Sequence, residues 1–223
     1  PRPQEGRVRD HNEDSYCAGE KEGLWAVADG MGGHEGGDWA SAKLVEKIDA
    51  IDLPRNLDEA RALVADAIVE ANRSILVEAR RRGKQMGSTI VVLLVQEQDY
   101  AILWVGDSRA YLLRDGELAQ LSRDHTQVQE MVDRGILRAE DAVGHPMGHV
   151  LSRAVGVRDE MEISQASGEV RPGDVFLLCS DGLHGYVDEA EIARLLARGS
   201  PERATEELVD LTLVNGAPAN LTV

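Results

Sequence analysis

Apolar residues along the chain group into two kinds of segment. Short β-branched or aliphatic runs at residues 24–28, 89–95, 100–105, 110–113 and 175–179, and again from Leu221 onward, have the length and composition of strands. Asp115-Gly116, set between Tyr111-Leu112-Leu113 and Leu118, is a tight-hairpin signal, and Gln98-Asp99 is read as a second turn of that kind. Helical periodicity is equally plain. Asn56 followed by Glu59 makes a capping-box-like start; Leu57, Ala60, Val64, Ala67, Ala71 and Ile75 mark one apolar face, and Gly83 supplies the stop. Residues 38–51, with Ala40, Leu44 and Ile48 in register, predict a second helix, as do 188–197 and Pro201–Val214. Strands come in hairpin-like pairs and the long helices are adjacent. That order predicts antiparallel sheets covered by helices rather than a repeating βαβ sheet. The stretch 126–155, with Gly135, Gly144, Pro146 and Gly148, is the least regular and is read as a surface flap.

Bulk properties narrow the function classes. A length of 223 residues with no internal repeat or linker predicts one domain over 1–223. The net charge of −16 is a poor match for nucleic acid or an anionic membrane, both of which call for basic patches. Cys17 and Cys179 have neither metal-ligand spacing nor the density of a disulfide framework, which fits a reducing cytoplasm. The opening residues, Pro1-Arg2-Pro3, do not read as a signal peptide, and the longest apolar run, 90–95, is too short to span a bilayer. By pattern the sequence stops within a strand, and nothing in it signals a coiled coil, so a monomer is the expectation.

Chemistry is suggested by a strand that ends in Asp-Gly, and this occurs twice. Trp25-Ala26-Val27-Ala28 leads into Asp29-Gly30, and Phe176-Leu177-Leu178-Cys179-Ser180 leads into Asp181-Gly182. A carboxylate at the end of a core strand is costly to desolvate unless a cation neutralises it, and the following glycine lets the backbone turn sharply beside that ion. Either motif alone is more simply a turn cap. Two of them, with the pair Glu13-Asp14, favour a metal site. Oxygen ligands without a His/Cys cluster select Mg2+ or Mn2+, and two such ions roughly 3.5–4 Å apart are a common device for attacking a phosphoryl group. Arg9 is the candidate phosphate clamp. Rival phosphate chemistries fail on spacing. Gly23 and Gly185 stand where a cysteine-dependent phosphatase would need arginine after Cys17 and Cys179, and there is no Gly-x-x-x-x-Gly-Lys-Ser/Thr loop.

These strings together resemble a known family. Arg9-x-x-x-Glu13-Asp14, Val27-Ala28-Asp29-Gly30-Met31-Gly32-Gly33-His34, Gly87-Ser88-Thr89, Val105-Gly106-Asp107-Ser108-Arg109 and Ser180-Asp181-Gly182-Leu183 occur in the order found in metal-dependent (type 2C) serine/threonine protein phosphatases, the bacterial branch above all. The resemblance implies an α+β fold, a four-layer α/β/β/α sandwich with the metal pair at one end. It implies that Asp29 bridges two Mn2+ or Mg2+ ions and that the Gly30 carbonyl sits on one. Asp181 would hold the other, Asp14 would act through bound water beside Glu13, and Arg9 would grip the phosphate. Asp124 would join Asp181 on a third, weaker ion; without the family it reads as a helix N-cap. The reaction implied is hydrolysis of phosphoserine and phosphothreonine in proteins, targets of a bacterial kinase, by a metal-bridging hydroxide.

Two departures accompany the resemblance. Met31 stands where animal members carry a histidine that protonates the leaving alkoxide; His34 is the alternative donor. Ala219 stands where the family's final motif has an aspartate on the Asp181 ion. It reads as a substitution made to weaken that ion, with lowered activity and an intact fold. A non-catalytic, phosphoprotein- or partner-binding homologue is the alternative, and a hydrolase of small phosphate esters is a third reading. Asp107 and Arg109 are expected to pair with each other, and Trp25, Trp39 and Trp104 to serve the core or an interface.

Overall fold

The computed structural model describes residues 3–4, 12–19, 23–33, 35–217 and 220–223. In chain order its elements are strands β1 (Pro3–Gln4), β2 (Asp14–Gly19) and β3 (Leu24–Met31), helices α1 (Gly37–Asp49) and α2 (Leu57–Arg82), and strands β4 (Gly87–Ser88), β5 (Ile90–Gln96), β6 (Asp99–Val105), β7 (Arg109–Arg114) and β8 (Glu117–Gln120). Helices α3 (Gln127–Asp133) and α4 (Ala139–Ala142) follow, then β9 (Ser164–Glu169), β10 (Val175–Cys179), α5 (Asp181–His184), α6 (Glu189–Leu196), α7 (Pro201–Val214) and β11 (Leu221–Thr222).

All strand pairs are antiparallel. One sheet runs β2-β3-β5-β6-β9, with β4 on the end of β3; the other has β10-β7-β8, and β1 pairs β11. The two-residue period of the strands explains the layering. Ala26, Ala28, Val92, Leu94, Ala101 and Leu103 face α1 and α2, packing on Leu44, Ile48, Val64, Ile68 and Ile75. Their alternates Val27, Val91, Leu93, Ile102 and Trp104 face the second sheet, meeting Ala110, Phe176 and Leu178. Tyr111, Leu113, Leu177 and Cys179 on the far face of that sheet pack on Leu183, Ile192, Leu195 and Leu208 of α5, α6 and α7. Both faces of both sheets are therefore covered, which gives four layers, α/β/β/α, as expected.

Local signals mostly hold. Asn56 accepts from Glu59 N at 3.0 Å and Gly83 ends α2 at φ 62°, although Ile68 rather than Ala67 carries the buried turn of that helix. Asp115 (φ 53°) and Gly116 (φ 84°) make the two-residue turn between β7 and β8. The β5–β6 turn is Glu97-Gln98, one residue earlier than expected, because Gln96 pairs with Asp99 and Glu97 takes the left-handed conformation (φ 53°). The segment 126–155 carries α3 and α4 and is closed at its base by bridges Thr126–Leu151 and Ser88–Val155. Trp104 lies between the sheets, and its Nε1 donates to Arg123 O at 2.8 Å. Among the described residues no helix is long and apolar enough to cross a membrane.

Ile102 is fully buried where the two sheets meet. Truncation to alanine is expected to destabilise the protein by about 2–5 kcal/mol, whereas Asn56→Ala should cost about 1 kcal/mol. Urea denaturation of the two variants checks both, and an Ile102→Ala loss no larger than that of the cap would refute the two-sided core.

Candidate metal centre

The site forms where β2 and β3 reach the same end of the sandwich. Their register sets Asp14 directly opposite Asp29. Two like charges at paired positions are destabilising, so the surroundings must hold them there. Asp29 is fixed through its backbone: its N–H donates to Thr89 Oγ1 at 3.1 Å, and its carbonyl accepts from Thr89 N at 2.8 Å and Ser88 Oγ at 3.0 Å. Gly30 donates to Glu13 O at 3.1 Å, and a Cβ there would lie 2.2 Å from Gly37 O, so glycine is required for β3 to touch the start of α1. The same close approach puts the Glu13 carboxylate against Gly37.

Asp181 arrives from the second sheet. It opens α5 directly after β10, and a Cβ on Gly182 would stand 2.1 Å from Asn220 O, so this turn packs on the residue before β11. The hydroxyls of Ser180 and Thr222 donate to Asp14 Oδ2 at 3.0 and 2.8 Å. They join the two sheets through one carboxylate. Asp14 Oδ1 is buried and has no hydrogen-bond partner among the described residues.

Titration follows from this crowding. Burial first, then the charge of Asp181, raises Asp14 to about 6 despite the two hydroxyl donors. Burial and the carboxylates of Asp14, Asp181 and Asp107 hold Asp29 well above the ordinary range. Asp107 is pushed up to about 8 by burial, Asp181 and Asp124. Each direction says that, among the described residues, the ionised cluster lacks positive charge. The donors are all oxygen, which suits Mn2+ or Mg2+. Among the described residues no three acidic, His or Cys side chains close around a single point, so bound water would have to complete any coordination sphere.

The structure thus gathers Glu13, Asp14, Asp29, Gly30 and Asp181. Asp124 is placed differently. It neither caps α3, which Thr126 does by accepting from Gln129 N at 3.1 Å, nor stands without a cation: Arg109 grips it with Nε at 2.9 Å and Nη2 at 2.7 Å. Arg109 therefore pairs with Asp124, not with Asp107 as expected, because the β7–β8 hairpin folds the later residue back beside it. Arg9, His34 and Ala219 lie outside the described residues. Sequence reasoning missed the hydroxyls of Ser180 and Thr222; that Ser180 immediately precedes Asp181 was the available signal. It also missed His125, whose Nδ1 accepts from Gly106 N at 3.1 Å and whose Nε2 lies 2.9 Å from Ser164 Oγ. Burial, then Arg153, lowers its pKa to about 4, so it is neutral and structural.

Comparison with known proteins agrees with this geometry. The family model for protein phosphatase 2C matches residues 6–213. The chain is 38% identical over 225 residues to the serine/threonine protein phosphatase PstP of Mycobacterium tuberculosis, all of this chain aligning with 43% of that protein, so it spans less than half of that relative's length. It is 35% identical over 235 residues to the serine/threonine phosphatase stp of Listeria innocua, covering all of this chain and 92% of that one. Among solved structures, PppA, a key regulatory component of T6SS in Pseudomonas aeruginosa, superposes with a TM-score of 0.92 at 40% identity, over 99% of this chain and 92% of the other. The catalytic domain of PstP in complex with two manganese ions superposes with a TM-score of 0.87 at 35% identity, over 99% and 93%.

A raised carboxyl pKa means that the folded state binds extra protons. The stability linked to them is complete below the usual value of 3.8 and is lost as pH rises through about 6 for Asp14 and about 8 for Asp107. Metal-stripped protein should therefore melt at a higher temperature at about pH 5 than at about pH 8.5, and Asp29→Asn should recover part of the loss at the higher pH. Thermal melts in chelator test this; equal melting temperatures at both pH values would rule it out.

Proposed function

Because the chain belongs to the protein phosphatase 2C family, we propose that it hydrolyses phosphoserine and phosphothreonine esters on proteins with Mn2+ or Mg2+ as cofactor. The observation that carries this reading is the buried pairing of Asp14 with Asp29, with Asp181 brought to the same end. A family relative with two manganese ions supports the choice of metal. Bound ions would supply Lewis acidity, making water a better nucleophile and neutralising phosphate oxygens.

The chain's own residues divide the remaining work. Asp29, the Gly30 carbonyl and Asp181 would hold the ions. Asp14, oriented by Ser180 and Thr222, and Glu13 would orient water at the bound ions. Arg9 clamps the phosphate and His34 gives a proton to the departing alkoxide. Residues 1–223 act as one phosphatase domain, in which 126–155 is a flap beside the site; the bridge from Ser88 to Val155, one strand away from Gly30, supports that position. Substrates are proteins phosphorylated by a bacterial serine/threonine kinase, and the chain works as a cytoplasmic monomer.

A second reading rests on Ala219. The missing carboxylate leaves this chain with reduced activity or with phosphoprotein binding alone. Mn2+-dependent phosphate release from a phosphothreonine peptide, beside an aryl phosphate and a phosphodiester, separates these readings. Peptide should be turned over, Asp29→Asn should lower the rate about a thousandfold, and Ala219→Asp should raise it about tenfold or more. Failure of both the parent and Ala219→Asp to release phosphate with Mn2+ would overturn catalysis. His34→Ala should slow the peptide more than the aryl phosphate, whose leaving group needs no proton; an equal effect on both would remove His34 from that role.

A further inference from the structure

The loop of residues 32–36 joins the strand that carries Asp29 to a helix whose first residue touches Gly30. Its own sequence gives it little to hold on by. Gly32 (φ 128°) and Gly33 (φ 73°) use backbone conformations that favour glycine, and glycine is the residue with most freedom to lose. Gly36 opens α1 without any side-chain cap, and Gly32, Gly33 and Glu35 are exposed. Gly36 N donates to Gly33 O at 3.2 Å, which closes a turn inside the loop but ties it to no other element.

One side chain reaches the loop from elsewhere. Arg82, in the last turn of α2, donates from Nη1 to Glu35 O at 2.8 Å, and among the described residues no other side chain hydrogen-bonds to residues 32–36. That guanidinium is itself fixed on two sides. Its Nε donates to Glu78 Oε1 at 2.6 Å, and its centre lies over the Trp39 ring of α1, 5.5 Å from the centroid. Glu78 also accepts from Arg81, and the two arginines draw its carboxyl down to about 2, so it stays ionised as an anchor. Arg82 therefore joins α2, α1 and the loop through one planar group whose donors point in fixed directions. Glu35 directly follows His34 in the chain. A proton donor is effective only from the reactive orientation, and a misplacement of about 1 Å can cost about a hundredfold.

We propose that Arg82 is a positioning residue for proton transfer, steadying through Glu35 O the loop that carries His34. The proposal rests on the reading of His34 as the donor. The step it serves moves one proton from the His34 imidazolium to the alkoxide oxygen released as the P–O bond breaks.

Arg82→Met tests this, since methionine keeps an unbranched stem and a good helix former at that position. Its melting temperature should stay within about 4 °C of the parent's. In metal-free protein, amide exchange over residues 33–37 should quicken about tenfold while that of β5 stays unchanged, a readout independent of turnover. With Mn2+, on the Ala219→Asp background, kcat for a phosphothreonine peptide should fall about tenfold with KM changed less than about twofold, and an aryl phosphate should lose less than about twofold. Once His34→Ala is present, adding Arg82→Met should change the peptide rate less than about twofold, because the two residues act through one step. Arg82→Lys, which keeps the charge without the fork, is the second variant and should fall between parent and Arg82→Met. Unchanged loop exchange in both Arg82 variants, equal slowing of peptide and aryl phosphate, or additive losses with His34→Ala would overturn the role of Arg82 while leaving the phosphatase reading standing. Equal slowing of both substrates by His34→Ala alone would remove the donor and this proposal together, and absence of phosphate release from the Ala219→Asp protein would overturn catalysis itself.

Discussion

The structure depends on keeping two carboxylates, Asp14 and Asp29, opposite each other on adjacent strands and largely out of water. That arrangement is unfavourable by itself, since burial and repulsion act in the same direction. Its neighbours look chosen to make it bearable. Asp29 is fixed through its own backbone N–H and carbonyl by Ser88 and Thr89. Two hydroxyls satisfy one oxygen of Asp14 and leave the other open.

The four layers explain why the cluster sits at an end of the sandwich. The central strands of both sheets are apolar on both faces, so charge has no place along them. Near the ends of β3 and β10 the backbone is packed so closely at Gly30 and Gly182 that a side chain larger than hydrogen would strike a neighbouring carbonyl. Close backbone approach thus converts two unrelated strands into one acidic mouth. The sheets contribute rigidity, and the turns contribute direction.

Much of this could be read from residue order. The Asp-Gly pairs after apolar runs marked the candidate site, the cap at Asn56 and stop at Gly83 marked the longest helix, and β-branched or apolar runs marked the central strands. What escaped did so for physical reasons. Strand β9, Ser-Gln-Ala-Ser-Gly-Glu, pairs with one neighbour at the edge of its sheet, where polar residues are tolerated and even protective, so no hydrophobic period reveals it. Strand β2 was hidden by its short mixed run and by Asp14 at its start. The partner of Arg109 was misread because local spacing favoured Asp107, whereas a hairpin brings Asp124 nearer. The hydroxyl of Thr222 was invisible in the same way, since only the closed fold puts it beside Asp14.

That last contact has a temporal meaning. Asp14 and Thr222 are separated by 208 positions, and Glu13 N likewise donates to Asn220 Oδ1 across 207. Contacts of such span form late, because loop closure must precede them. The acidic strands can pair early, but the hydroxyl that orients Asp14 arrives only when β11 docks. Competence for metal is therefore a property of the finished molecule, and a partly folded chain would not yet present an ordered ion site.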